Sequence, residues 1–151
     1  MNDVCEKKVA SAVKFLLVTA GIFGMLGVVI GAFGAHGLEG FLEGRGLDAE
    51  TIARRADQLD VGVRYHLTHT LVLLGLAALG SAGTLGARWL WWIGIPMALG
   101  ILIFSGSLYL LVALNLPIMG AITPIGGVTW IIAWILLAVS AGSSKSNSVD
   151  H

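Results

Sequence analysis

Residues 65–142 read YHLTHTLVLLGLAALGSAGTLGARWLWWIGIPMALGILIFSGSLYLLVALNLPIMGAITPIGGVTWIIAWILLAVSAG, and the only charged side chain in that stretch is Arg88. The whole chain has 151 residues, enough for one domain. A soluble core of that size has no room for so many consecutive uncharged residues, whereas lipid accommodates them. This stretch therefore decides the fold class, an all-α integral membrane protein with four transmembrane helices in an antiparallel bundle.

Working outward, the spans are placed by length. A helix crosses the hydrocarbon with roughly 20 apolar residues at about 1.5 Å each. Four stretches qualify, at about 13–35, 66–85, 89–114 and 118–141. A charge at a helix centre costs on the order of 3 kcal/mol, and none of the four carries one there. Gly80 to Thr84 loosens the chain between spans two and three, and Asn115-Leu116-Pro117 is a turn signal between spans three and four. Short turns make these helices antiparallel neighbours. Trp89, Trp91 and Trp92 open span three, where indole rings favour the headgroup layer. Trp130 and Trp134, one turn apart near the middle of span four, are expected to face a helix neighbour or lipid. Together the four spans make a single membrane domain over 13–141, flanked by polar tails at 1–12 and 142–151.

Composition agrees. Apolar residues are 56% of the chain and charged residues 12%, against roughly 25% charged in ordinary soluble domains. Nine basic and nine acidic side chains cancel, so no net field points to nucleic acid. The single cysteine, Cys5, can form no internal disulfide.

An alternative for the first span is a secretory signal, with Lys7, Lys8 and Lys14 before the apolar run and Ala32-Phe33-Gly34 as a small-residue cleavage site. The length of the run and its glycines favour a retained span. An even number of spans puts both termini on one side. Lys7, Lys8, Lys14, Arg88 and Lys145 then lie together against Arg45, Arg54, Arg55 and Arg64, and this five-to-four excess makes the termini cytoplasmic.

The segment from Ala49 to Arg64 reads as an amphipathic helix between spans one and two. Asp48 is its expected N-cap. Ile52, Ala56, Leu59 and Val63 form an apolar stripe, and Glu50 with Arg54 and Asp60 with Arg64 are opposite charges four apart. Such a helix lies in the interface, with its apolar face on lipid or on the bundle. In span one, Gly21, Gly24, Gly27, Gly31 and Gly34 recur at steps of three and four, which lets another backbone approach, from within the chain or from a second copy. No predicted strand precedes them, so they are not a nucleotide loop.

His36 ends span one, and His66 and His69 open span two. Three imidazoles can hold a zinc-like ion with help from a carboxylate such as Glu39, or relay a proton. The plain reading is interfacial histidine bonded to headgroups or a neighbouring helix end, and no metal or other cofactor is expected. Ser105, Ser107 and Tyr109 make span three locally polar. Thr123-Pro124 makes span four kink or begin afresh, because Pro124 lacks an amide donor. The hydroxyls there either bind an ion or substrate or are satisfied by neighbouring helices; the second is expected.

Four motifs in order then become legible: Gly31-Ala32-Phe33-Gly34-Ala35-His36; Tyr65 with His69; Leu102-Ile103-Phe104-Ser105-Gly106-Ser107-Leu108-Tyr109; and Thr123-Pro124-Ile125-Gly126-Gly127. They resemble the YgdD-like family, domain of unknown function 423, across about 15–141. The resemblance implies a small multi-pass protein of the bacterial inner membrane, with eukaryotic relatives, and implies no activity. Of the histidines, His36 and His69 fall on the motifs, whereas His66 lies between Tyr65 and His69 at a position outside the motif, which argues against a three-histidine metal site.

Two function classes fit. The leading expectation is a structural or accessory protein, acting through helix packing or partner binding, with the lipid bilayer and a homo-oligomer or membrane protein as partners. The alternative is a small transporter or channel for an ion or small molecule, as an oligomer. With no carboxylate in the spans, its path would use His36, Tyr65, His69, Ser105, Ser107 and Thr123. An enzyme is not expected, since Ser105 and Ser107 lie mid-span and the histidines near one interface, leaving no positioned nucleophile and base.

Overall fold

A computed structural model describes residues 3–143, and every regular element among them is helical. In chain order these are α1 (Asp3–His36), α2 (Leu38–Glu43), α3 (Ala49–Ser81), α4 (Ala87–Gly100), a π-helical turn (Ile101–Ser105), α5 (Gly106–Leu114), a 3-10 turn (Pro117–Ala121) and α6 (Thr123–Ser143). Three helical stretches are long and apolar enough to cross a membrane: Asp3–His36, Ala87–Leu114 and Pro117–Gly142. Residues 144–151, most of the expected C-terminal tail, lie outside the described residues.

Two boundaries differ from the sequence reading. The expected polar tail at 1–12 is helical from Asp3 onward, with Asp3 and Glu6 in the first turn of α1. Acidic side chains there complement the partial positive charge of a helix N-terminus, so the helix simply runs out of the apolar region. The segments at 49–64 and 66–85, expected as an interfacial helix and a separate span, form one 33-residue helix, α3, ending at Ser81. Nothing between Arg64 and His66 breaks a helix, so the chain continues straight. Asp48 caps α3 as expected, its Oδ1 accepting from the Thr51 amide at 2.8 Å.

α1 and α3 run antiparallel along most of their lengths. A Cβ at Gly27 would meet Leu67, at Gly31 Val63, and at Gly34 Leu59, so rising numbers on α1 match falling numbers on α3. Gly24 sits farther off, against Thr70 at 3.8 Å, and Gly21 faces open space. Between α4 and α5 the π-turn leaves no break, so Ala87–Leu114 is one helical stretch. Asn115 then adopts the left-handed conformation, φ 50°, and stops α5. Pro117 opens the 3-10 turn and Pro124 sits in the first turn of α6, so this last helix starts afresh at Thr123.

The interior has two apolar clusters. One contains Leu16, Leu73, Leu90, Ile93, Met97, Ile101, Trp130 and Ala133; the other contains Leu38, Leu42, Leu59, Leu111 and Val112. Ile52 and Val63 of the amphipathic stripe pack on the second, so that face covers the bundle. Much of the outer surface is apolar, including Val28, Leu71, Ile118, Ile131 and Ile135. Lipid is as apolar as leucine, so the two clusters are held by close packing more than by expulsion of water.

Candidate functional site

Between the two clusters the helices carry a layer of buried polar side chains: His66, His69, Thr70, Ser105 and Ser107. Each is placed by a helix, and several contacts depend on a glycine opposite an aromatic ring. A Cβ at Gly62 would lie 2.9 Å from the Tyr109 ring. At Gly100 it would overlap the Trp130 indole, and at Gly126 the backbone of Phe104. In each case the absent side chain makes the space the ring, or the residue bearing it, now occupies.

His66 bridges three helices. Its Nε2 lies 2.9 Å from the Phe23 carbonyl oxygen, which can only accept, so Nε2 carries the proton. Nδ1 of the neutral ring then accepts from the Tyr109 hydroxyl at 3.1 Å. With both ring nitrogens engaged, neither is open to a metal. His69 donates from Nδ1 to the Tyr65 carbonyl at 2.8 Å. Its ring is stacked on Trp130, with centroids 3.6 Å apart and planes 7° from parallel. Tyr65 and Phe104 complete the aromatic cluster, with centroids 5.7 Å and 4.9 Å from Trp130. Trp130 donates to the Met97 carbonyl at 3.1 Å. It therefore faces helix neighbours, whereas Trp134 is partly exposed at the rim.

The hydroxyls are arranged similarly. Ser107 donates to the Phe104 carbonyl at 2.8 Å and lies 2.8 Å from Thr123 Oγ1, tying α5 to the start of α6. Thr70 returns its hydroxyl to the His66 carbonyl at 2.8 Å. Ser105, fully buried at 0% exposure, is different: its Oγ has no hydrogen-bond partner.

Of the residues singled out in the sequence, Tyr65, His69, Ser105, Ser107 and Thr123 thus belong to this layer or its edge. His36 does not. It is exposed at the end of α1, beside a separate cleft of about 330 Å³ lined also by Glu39, Glu43 and Ile52. The three-histidine grouping is accordingly not formed: among the described residues, no three His, Cys, Asp or Glu side chains come together as a metal-ion cluster. Sequence reading missed Tyr109 as the partner of His66. The two are 43 positions apart, and the available signal was Gly62, one turn before His66.

A further polar tie lies at the end nearest His36. Arg55, only 5% exposed, donates from Nε and Nη2 to Asn115 Oδ1 at 3.0 and 2.6 Å and from Nη1 to Gln58. Arg45 donates to the Ala113 carbonyl. Two guanidiniums therefore gather at the C-terminal end of α5, where partial negative charge accumulates.

Three of the four motif stretches thus meet in one layer, and the whole set lies inside the match to a family model. That model, described as Protein of unknown function (DUF423), matches residues 30–127. The chain belongs to the DUF423 family. Among DUF423 relatives, the UPF0382 membrane protein YwdK of Bacillus subtilis is 40% identical over 135 residues, covering 85% of this chain and 96% of the relative. The UPF0382 inner membrane protein YgdD of Escherichia coli K12 is 35% identical over 138 residues, covering 91% and 97%. The UPF0382 membrane protein SH2409 of Staphylococcus haemolyticus is 34% identical over 127 residues, covering 84% and 94%. No solved structure matches this DUF423 chain.

Proposed function

We propose that this DUF423 protein is a four-span bundle of the cell inner membrane with both ends on the cytoplasmic side, and that it serves a structural or accessory role through helix packing. The second half of α3 supplies the fourth span. Its residues 64–81 run alongside the apolar part of α1, and 18 residues at 1.5 Å per residue extend about 27 Å. The first half of α3 projects beyond the hydrocarbon, with Ile52, Leu59 and Val63 against α2 and α5 and the Asp60–Arg64 ion pair exposed. The bacterial inner-membrane setting follows from what YgdD is called.

The observation that carries the functional reading is that most of the polar layer is turned onto the protein itself. His66, Thr70, Ser107 and Trp130, and His69 through Nδ1, place their hydrogen bonds on other helices or on their own backbone, and Ser105 Oγ is the exception. A solute path needs polar groups turned toward the passing solute; here most are turned to the protein's own helices. Such a bundle presents its apolar outer faces to lipid or to another membrane protein.

Affinity purification of the tagged chain from membranes in mild detergent tests this. The expected result is a membrane protein, or a second copy, co-eluting in fixed stoichiometry. Repeated recovery of a bare monomer, together with solute flux in liposomes that His69→Ala abolishes, would replace it with transport.

A further inference from the structure

Ser105 is the exception in its own class. Thr68, Thr70 and Thr129 return their hydroxyls to the carbonyl four residues earlier, and Ser107 and Ser140 to the carbonyl three earlier, at 2.7 to 2.9 Å. For Ser105 that carbonyl would be Ile101, whose oxygen accepts from the Gly106 amide across the π-turn. Ser105 Oγ is left buried without a partner. An unsatisfied buried hydroxyl costs free energy, and π-turns occur often at functional positions. Tyr109 lies one turn on along the same helical stretch, and side chains four apart on a helix are neighbours on one face.

Tyr109 in turn is bonded to His66, and proton counting along the string gives Ser105 a role. In the neutral layer, His66 Nε2–H donates to Phe23 and Tyr109 O–H donates to His66 Nδ1. If His66 takes a proton from a hydronium ion, Nδ1 becomes a donor and Tyr109 can no longer donate to it. The Tyr109 oxygen must accept instead, and its proton needs a new acceptor. Ser105 Oγ is the unfilled acceptor beside it.

We infer that His66 is a proton-binding site inside the bundle, and that Tyr109 and Ser105 accommodate the bound proton by reversing the direction of one hydrogen bond. Proton uptake breaks one O–H bond of a hydronium ion, which leaves as water, forms the His66 Nδ1–H bond, and rotates the Tyr109 hydroxyl from His66 to Ser105 with its own O–H bond intact. The imidazolium keeps both N–H groups bonded, to the Phe23 carbonyl and to Tyr109. The side chains facing the ring are Phe23 on α1, which meets it edge-on, and Tyr109 on α5, with Gly27 leaving room beside it. Tyr109 is the titratable group among these. On α3 itself, His69 is turned to Trp130, and Arg64 is paired with Asp60. This step goes beyond the packing role and adds a ligand, the proton, whose binding changes how α3 is tied to α5.

The test is nitrogen NMR on the full chain, histidine-labelled, in lipid nanodiscs, with the His66 signal assigned by its loss in His66→Gln. On lowering pH from about 8 to about 4, the window in which histidine titrates, His66 should pass from one bare and one protonated ring nitrogen to two protonated nitrogens. In Ser105→Ala the transition should need roughly tenfold more acid, about one pH unit, because Tyr109 has lost its acceptor. Ser105→Thr, which keeps a hydroxyl, should stay near the parent value. A His66 ring that remains neutral throughout overturns the inference. So does an unshifted midpoint in Ser105→Ala with circular dichroism unchanged. If Ser105→Ala does not fold, Tyr109→Phe serves: it deprives Nδ1–H of its acceptor, and an unshifted midpoint there is equally contradictory.

Discussion

The imidazole of His69 lies flat against the indole of Trp130, with ring centroids 3.6 Å apart and planes within 7° of parallel. The contact joins α3 to α6, and it exists because Gly100 gives the indole a place on α4, where Trp130 donates to the Met97 carbonyl. One missing side chain thus sets the position of an aromatic ring that three helices share.

Gly100→Ala and Gly126→Ala should therefore be costly. The new Cβ would overlap the Trp130 indole in the first case and the Phe104 backbone in the second. Overpacking of this kind costs about 1–3 kcal/mol. Gly75, whose Cβ would face open space inside α3, is the control, and Gly75→Ala should stabilise by up to about 1 kcal/mol, the helix-propensity gain of alanine over glycine. Unfolding in mild detergent, followed by tryptophan fluorescence, separates the two classes.

Gly62→Ala should act at a distance from the residue changed. The Tyr109 ring, 2.9 Å from the added Cβ, must move, and its hydrogen bond to His66 lengthens or is lost. Loss of a typical hydrogen bond removes about 1 kcal/mol. In the His66 ring-nitrogen NMR spectrum, Gly62→Ala should resemble Tyr109→Phe.

Asn115 should be improvable. It holds the nearly buried Arg55 guanidinium with a neutral amide oxygen. Asn115→Asp supplies a charged acceptor and should stabilise. Asn115→Ala leaves the guanidinium short of partners and should cost about 1.5–3 kcal/mol, the range for a hydrogen bond to a charged group. Because α5 ends in the left-handed conformation at this position, Asn115→Gly separates the two effects. It keeps the backbone comfortable and loses the acceptor, so it should fall near the alanine variant.

Asp48 should give the start of α3 a pH dependence. The Thr51 amide and hydroxyl, which donate to its carboxylate, hold it below the ordinary aspartate value of 3.8. A lowered folded-state value means that the cap stabilises above 3.8 and loses that contribution as pH falls through the lower folded value. The difference in thermal midpoint between the parent and Asp48→Ala should therefore be full near neutrality and close in acid.

The fold was legible where the sequence signal is local. The near absence of charge over 65–142 gave the apolar helices, Asp48 gave the cap of α3, and Asn115-Leu116-Pro117 gave the turn after α5. What escaped is set by neighbours in space. Hydropathy marks where lipid begins and says nothing about whether a helix ends there, so α1 starts at Asp3 and α3 runs unbroken through Arg64 and Tyr65. The π-turn at Ile101–Ser105 has no composition of its own. In the candidate site, His69, Ser105, Ser107 and Thr123 were named from residue type, but the pairing of His66 with Tyr109 depends on how α5 approaches α3. His36, similar in residue type, ended on the opposite side of the second apolar cluster.

Four crossings with both ends on one side is the claim on which the rest depends, and single-cysteine labelling tests it most directly. In a background with Cys5 replaced by serine, Asp57→Cys in the first half of α3 and Ser81→Cys at its far end are both exposed positions. With a membrane-impermeant thiol reagent on sealed vesicles of known orientation, Ser81→Cys should label from the same side as native Cys5, and Asp57→Cys from the opposite side. Labelling of Asp57→Cys and Ser81→Cys from one side would mean that α3 does not cross, and would contradict the four-span bundle.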